Sequence, residues 1–268
     1  MVDVKKLPAI DLLDPMPPWG NRPIKDRMSV MVAIDTPDKE EIRAIVEATC
    51  RHTSAYKVGR IAAAKHGWEE IARFIREVAG FRVKLFADPQ KWPTDIKEVS
   101  IALAQIIYDA GYDAIIMFPL SGWFVQMACI EFCRGLNWPV WSGGDFTVEG
   151  ARIEDGGYLG NIDLMFQRSA RMGVRGFIVP GNQENRIIID LAAIQEITGD
   201  DVIDLGSPGF GEGFQGGKVG TAKKAVKKMN LHVIAGRKVA SPKTRGGKFD
   251  ALLGLRRELG IPDSHRVA

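Results

Sequence analysis

Asp35, Lys57, Asp88, Lys91 and Asp95 stand at or just beyond the ends of three apolar, β-branched runs. Lysines and aspartates gathered in one place hold one another ionised. Lys57 lies inside Ala55-Tyr56-Lys57-Val58-Gly59, where a buried lysine is costly unless a carboxylate pairs with it. Such an array suits one kind of chemistry. It stabilises a negative charge that develops on a bound molecule, and it can deliver a proton there.

A second set of residues suits phosphate. Ser207-Pro208-Gly209-Phe210-Gly211-Glu212-Gly213-Phe214-Gln215-Gly216-Gly217 is a glycine-rich stretch after one apolar run. Glycines let backbone N–H groups approach an anion closely. The last apolar run ends in Ala235-Gly236-Arg237, and an arginine there can make a bidentate pair with phosphate.

These residues need a scaffold that brings strand ends together. Eight apolar runs predict strands at Ser29–Asp35, Ala55–Gly59, Val83–Asp88, Ala114–Phe118, Pro139–Ser142, Gly176–Pro180, Val202–Gly206 and His232–Gly236. Helix-period segments separate them. The first opens at Pro37-Asp38 and carries Ile42, Ile45 and Val46. Gly67–Val78 comes next, with Ile71, Phe74, Ile75 and Val78 on one face. Ile96–Tyr108 is expected to turn Val99, Leu103, Ile106 and Ile107 inward. Further helices are predicted at Trp123–Cys133, Asn161–Met172, Gln183–Ile197, Thr221–Met229 and Lys248–Leu259. Alternating strands and helices imply a parallel sheet, and eight units imply an α/β (β/α)8 TIM barrel. Residues at the C-terminal strand ends of such a barrel share one mouth. The barrel is expected over residues 28–268, preceded by a Pro-rich N-terminal arm, 1–27, wrapped on the barrel or on a neighbour. Two long loops, Gly143–Gly157 and Ser207–Gly220, are candidate lids.

Composition narrows the class. The 268 residues are 46% hydrophobic, enough for one full core, and 36 basic against 33 acidic residues give a net charge of only +3. That balance argues against a nucleic-acid partner, while the local basic excess near the C-terminus, which includes Arg237, Lys238, Lys243, Arg245 and Lys248, favours a phosphorylated small molecule. Lys223, Lys224, Lys227 and Lys228 read as a solvated helix face. No membrane span or signal-peptide core is visible. Cys50, Cys129 and Cys133 lack metal-ligand spacing, as do the four histidines. The sparse, odd cysteine count suits a reducing cytoplasm.

The ordered motifs resemble the orotidine 5'-monophosphate decarboxylase family, within the ribulose-phosphate-binding barrels. Ala33-Ile34-Asp35, Lys57-Val58-Gly59 and Ala87-Asp88 with Lys91 and Asp95-Ile96 carry the resemblance. Val179-Pro180-Gly181 with Arg186, Ser207-Pro208-Gly209, Gln215-Gly216-Gly217 and Ala235-Gly236-Arg237 extend it to about Leu259. The resemblance implies decarboxylation without metal or other cofactor, in a homodimer with shared sites. It implies Asp88 facing the substrate carboxylate, Lys91 as proton donor to C6, and Asp95 with Ile96 supplied by the partner. Lys57 would order the charges and bind ribose, and Asp35 would bind a ribose hydroxyl. Ser142 would touch the pyrimidine, and Pro208, Gln215, Gly236 and Arg237 would form the phosphate end.

The chain departs from the family's Asp-x-Lys-x-x-Asp motif. Asp88-Pro89-Gln90-Lys91-Trp92-Pro93-Thr94-Asp95 carries one extra residue before the lysine and one more before the second aspartate. That departure keeps two alternatives open. One is a paralogue that keeps the phosphate grip without this chemistry. The other is a metal-dependent sugar-phosphate decarboxylase or aldolase, although such relatives carry an acidic residue where this chain has Lys57.

Overall fold

The computed structural model describes residues 11, 14–146, 150–181, 184–199, 201–208 and 229–264. Its eight strands are all parallel and close in sequence order into one barrel. They are β1 (Met28–Ile34), β2 (Ala55–Gly59), β3 (Leu85–Asp88), β4 (Ala114–Met117), β5 (Val140–Gly143), β6 (Gly176–Ile178), β7 (Ile203–Pro208) and β8 (Met229–Ala235). β8 returns to β1 with Val30 opposite Val233. The (β/α)8 expectation therefore holds. The bounds differ locally: β3 begins at Leu85 rather than Val83, β7 runs on to Pro208, and β8 begins at Met229 rather than His232. The helix expected at Thr221–Met229 loses Met229 to β8, and the rest of it lies outside the described residues.

The helices are α1 (Lys39–Thr49), α2 (Arg60–His66), α3 (Trp68–Ala79), α4 (Lys97–Asp109), α5 (Trp123–Gly135), α6 (Ile162–Arg171), α7 (Glu184–Thr198), α8 (Arg237–Ala240) and α9 (Arg245–Glu258). Asp38 caps α1 by accepting from the Glu40 and Glu41 N–H groups, which satisfies donors that the first helical turn leaves free. α2 is an addition to the expected elements. Gly67, at φ 85°, ends it and lets α3 start in a new direction. Among the described residues, no helix is long and apolar enough to cross a membrane.

Strand alternation divides the core into two layers. Val30, Val32, Ile34, Tyr56, Val58, Leu85, Ala87, Ile115, Met117, Val140, Phe177, Leu205 and Val233 face outward and pack under the helices. Met31, Ala33, Ala55, Phe86, Ala114, Ile116, Phe118, Trp141, Ile178 and Ile234 fill the barrel interior. Each fully buried Ile, Leu or Phe is worth roughly 1.5–3 kcal/mol, so this filled interior fixes the strand ends firmly. Cys129 and Cys133 are wholly buried under α5, in the packing role expected of them.

α4 departs from expectation. Ser100, Ala104 and Ile107 are its buried residues, whereas Val99 and Ile106 are 50% and 59% exposed. The helix carries two apolar stripes, and the barrel takes the narrower one. The other, with Ile96 before it and Phe124 on α5, faces outward.

The described part of the arm closes the barrel bottom. Ile24 is buried with the interior cluster. Arg22 grips Asp204 through Nε at 3.0 Å and Nη2 at 2.7 Å. Trp19 Nε1 donates to the Met172 carbonyl at 2.8 Å. Asp204 also meets Asn230 at 2.8 Å and His232 at 3.4 Å, and His232 reaches Ser29 Oγ at 2.7 Å.

Candidate active site

Lys57 follows Ala55 on the interior side of β2, and its Nζ lies 2.8 Å from Asp88 Oδ2 and 3.3 Å from Asp35 Oδ1. Three strand ends thus meet in one ionic array at the barrel mouth. Burial pulls the Lys57 ammonium towards neutrality, but the charges of Asp88 and Asp35 outweigh it and raise its pKa above the ordinary value. Gly59 makes room for the array, since a Cβ there would collide with Asp35 Oδ1.

The segment after β3 turns back on itself. Asp88 Oδ1 accepts from the Gln90 N–H at 3.0 Å. Gln90 and Lys91 both have left-handed backbone, at φ 52° and 69°. Beyond them the chain is pinned to its neighbours. Trp92 is buried, and its indole N–H donates to the Ser100 carbonyl at 3.0 Å. The Phe118 N–H donates to the Trp92 carbonyl at 2.6 Å, and Ser121 Oγ donates to the Pro93 carbonyl at 3.1 Å.

This turn delivers Lys91 to the mouth. Its Nζ lies over two ring faces, 4.0 Å from the Phe118 centroid and 4.3 Å from that of Phe146. Burial lowers the Lys91 pKa below the ordinary value; Asp88 opposes the shift and Lys57 reinforces it. A desolvated ammonium beside a salt-bridged carboxylate is an acid ready to give up its proton.

The other expected residues divide. Asp95 is exposed, and its Oδ1 accepts from the Ile96 N–H at 2.7 Å. It stands apart from the Lys57 array of its own chain. Ile96 beside it is 60% exposed. The Ser142 side chain faces away from the barrel interior. It alternates with Trp141 and shares the outward face of β5 with Val140, and its hydroxyl meets Ser169 Oγ of α6 at 2.7 Å. The strand period of two explains the correction: Trp141 and Gly143, not Ser142, look inward.

At the far side of the mouth, Pro208 ends β7 and its carbonyl accepts from the Gly181 N–H at 2.7 Å. The Gly236 carbonyl accepts from the Val239 and Ala240 N–H groups at 3.0 Å, opening α8. Arg237 is exposed and makes no ion pair among the described residues. Gln215 lies outside the described residues. Arg186 turns to Glu154 and Asp155, at 2.7 and 2.9 Å, bracing the loop after β5. Lys84, far from the array, pairs with Asp113 at 3.3 Å. Among the described residues, no three His, Cys, Asp or Glu side chains gather as a metal-ligand set.

Sequence reasoning missed two parts of this mouth. One is the Phe118–Phe146 pair, edge to face at 5.7 Å between centroids. The other is a buried cluster behind Phe146. Arg152 Nε and Nη2 grip Asp145 at 3.1 and 2.5 Å, and Nη2 also reaches Asp190 of α7 at 3.2 Å. Burial, then the nearby Asp145 charge, push the Asp190 carboxyl up to about 7 against the pull of Arg152. The available signal was Gly143-Gly144-Asp145-Phe146, a tight polar and aromatic turn at a barrel strand end.

A closed eight-stranded barrel with a lysine–aspartate array at its mouth defines the class: a (β/α)8 enzyme scaffold with a charged site built from strand ends. The chain is similar to the orotidine 5'-phosphate decarboxylases in both sequence and fold. It is 26% identical over 237 residues to that enzyme of Methanosarcina barkeri, covering 85% of this chain and 96% of the relative. With the Methanosarcina mazei enzyme it shares 27% over 223 residues, covering 80% and 90%. The fold matches an orotidine 5'-monophosphate decarboxylase of Methanocaldococcus jannaschii, solved with the inhibitor BMP, at a TM-score of 0.69. There the identity is 22%, and the match covers 86% of this chain and 98% of the other. The Pyrococcus horikoshii enzyme gives 0.68 at 22% identity, covering 87% and 100%. No protein-family model matches the chain.

Proposed function

We propose that the chain decarboxylates orotidine 5'-monophosphate to uridine 5'-monophosphate, a step of pyrimidine biosynthesis, without a metal or other cofactor. The observation that carries this reading is the ionic array of Lys57, Asp35 and Asp88, with the desolvated Lys91 ammonium beside it. The similarity to decarboxylases over most of the chain supports it.

Loss of CO2 from the pyrimidine leaves an electron pair at C6 with no adjacent group to delocalise it. A fixed ammonium next to that carbon stabilises the developing charge and then protonates it. In this reading Lys91 is that ammonium. Asp88 faces the departing carboxylate, and Lys57 keeps Asp88 and Asp35 in place. In the same reading Asp35 and Lys57 would also hold the ribose, and Arg237, Gly236, Pro208 and Gln215 would bind the phosphate. Phosphate binding energy, remote from C6, aligns the array and lowers the barrier.

The same reading makes the protein a cytoplasmic homodimer. Three buried, unpaired thiols suit a reducing compartment. The outward stripe of Ile96, Val99, Ile106 and Phe124 is an apolar surface of the kind that a second copy covers. Asp95 and Ile96, both exposed just before α4, would complete the partner's site.

The direct test is loss of substrate absorbance on mixing with orotidine 5'-monophosphate, with and without chelator. Turnover unaffected by chelation is expected. Lys91→Ala should abolish turnover and leave binding of the product nucleotide largely intact, while Lys84→Ala should alter only stability. Turnover lost on chelation, or near-native turnover in Lys91→Ala, would overturn the reading.

A further inference from the structure

We infer that Phe118 and Phe146 are positioning residues that hold the Lys91 ammonium between their ring faces, and that Gly143 is glycine to admit the Phe118 ring. The inference rests on Lys91 as the proton donor.

The geometry has three parts. Lys91 Nζ is within cation–π range of both rings, at 4.0 and 4.3 Å. Among the described residues it makes no hydrogen bond, and the two rings are the contacts that support it. Each ring is itself fixed. Phe118 is 5% exposed, and its N–H is tied to the Trp92 carbonyl, one residue beyond Lys91. Phe146 hangs from a turn whose N–H is accepted by Asp145 at 2.8 Å, and Arg152 clamps Asp145 from behind. Finally, a Cβ on Gly143 would overlap three Phe118 ring atoms, the farthest of them 2.8 Å away. Gly143 has no positive φ, so space rather than backbone conformation makes glycine necessary there.

The chemical role follows from how aromatic faces differ from water and from carboxylate. Two ring faces attract a cation while keeping water away, and they offer no acceptor for its proton. Lys91 therefore stays charged and aimed, yet easy to deprotonate. Among the described residues of its own chain, the charged groups facing it are Asp88, which favours the ammonium, and Lys57, which opposes it; in the proposed dimer the Asp95 carboxylate of the second copy would also favour the ammonium. Asp35 is engaged with Lys57, and Asp145 with Arg152.

Substitution by leucine separates the two effects of a ring. Leucine keeps an apolar wall but has no negative face. In Phe118→Leu and Phe146→Leu, the Lys91 midpoint should fall by roughly half to one pH unit. Gly143→Ala should displace the Phe118 ring and move the midpoint as well. The midpoint is read by NMR of 13Cε-lysine in the free protein, with the Lys91 signal assigned by Lys91→Arg. In turnover, the alkaline limb of kcat/KM should shift with it, and kcat should fall about 10- to 100-fold with KM little changed. Phe146 is only half-buried, so its variant keeps the test open if Phe118→Leu fails to fold.

A purely structural role would lower the melting temperature and leave the Lys91 midpoint in place. An unmoved midpoint in a folded leucine variant overturns the inference. The NMR arm needs no turnover. If the wild-type protein proves inactive while the midpoint still shifts, the aromatic clamp stands and the decarboxylase reading falls.

Discussion

Lys57 Nζ lies 2.8 Å from Asp88 Oδ2, joining the ends of two neighbouring strands by a buried ion pair. Removing one partner of such a pair strands the other charge away from water. Lys57→Met should therefore lower stability by about 3–5 kcal/mol, measured by urea unfolding at neutral pH. The pH dependence has a definite sign. Lys57 is raised above its ordinary value of 10.5, so its contribution is complete below that pH and is lost as pH rises through the folded value. Alkaline unfolding should accordingly be shallower in Lys57→Met than in the native chain.

Asp190 works in the opposite range. Its carboxyl is held up at about 7 against an ordinary 3.8. The folded state then binds the extra proton between these values, and stability attributable to this group is lost as pH rises from about 4 through 7. Asp190→Asn keeps the shape and removes the titration. The variant should gain roughly 1–3 kcal/mol on the native chain between pH 5 and pH 8, read from unfolding midpoints at the two values. A constant difference across that range would show that Arg152 keeps Asp190 ionised throughout.

Arg237 is exposed at the start of α8. Arg237→Ala should weaken a nucleoside monophosphate by about 2–5 kcal/mol and leave the free nucleoside almost unaffected. Calorimetric titration with both ligands decides this, since equal losses would remove Arg237 from the phosphate end.

The outward stripe on α4 gives an assembly prediction. With the proposed homodimer formed through this stripe, Ile106→Lys or Phe124→Lys should give monomers in sedimentation equilibrium, with activity falling in step. Mixing Lys91→Ala with Asp95→Ala chains should restore one native site per heterodimer. Recovery of no activity after verified subunit exchange would keep Asp95 out of the neighbour's chemistry.

At the barrel floor, Arg22 holds Asp204 in a two-point grip. Burial opposes the Asp204 charge, but hydrogen bonds from His232, Arg22 and Asn230 keep its pKa below the ordinary value. Arg22→Ala should destabilise by about 1–3 kcal/mol and leave KM unchanged, because the floor lies at the opposite end of the barrel from the mouth.

The legible parts of this protein are those that a single strand encodes. Ala55-Tyr56-Lys57-Val58-Gly59 announces both a strand and a charge at its end, because period-two alternation puts Lys57 on the side of Ala55. The same period exposes the error at Ser142, one position out of phase with the interior. Val99 and Ile106 were unreadable for another reason. An apolar stripe reads the same whether a barrel or a second molecule covers it, and Ser100 and Ala104 beneath gave no hydrophobic signal. The Phe118–Phe146 clamp and the Arg152 cluster draw on a strand end, a loop and a helix distant in sequence. No local spacing encodes such a meeting; only the closed barrel does.

The left-handed pair Gln90-Lys91 bears on how this site is to be found in other chains. Each such residue strains a side-chain-bearing backbone by roughly 1 kcal/mol, and the pair curls the chain so that contour is consumed without advance. The one residue in excess between Asp88 and Lys91 falls within this curl, and Trp92 anchors the chain on its far side. Residue count and spatial position are decoupled here. A search that fixes the interval between the aspartate and the lysine would pass over chains like this one. A search that fixes the strand end and the buried aromatic anchor, and lets the interval float, would retain them.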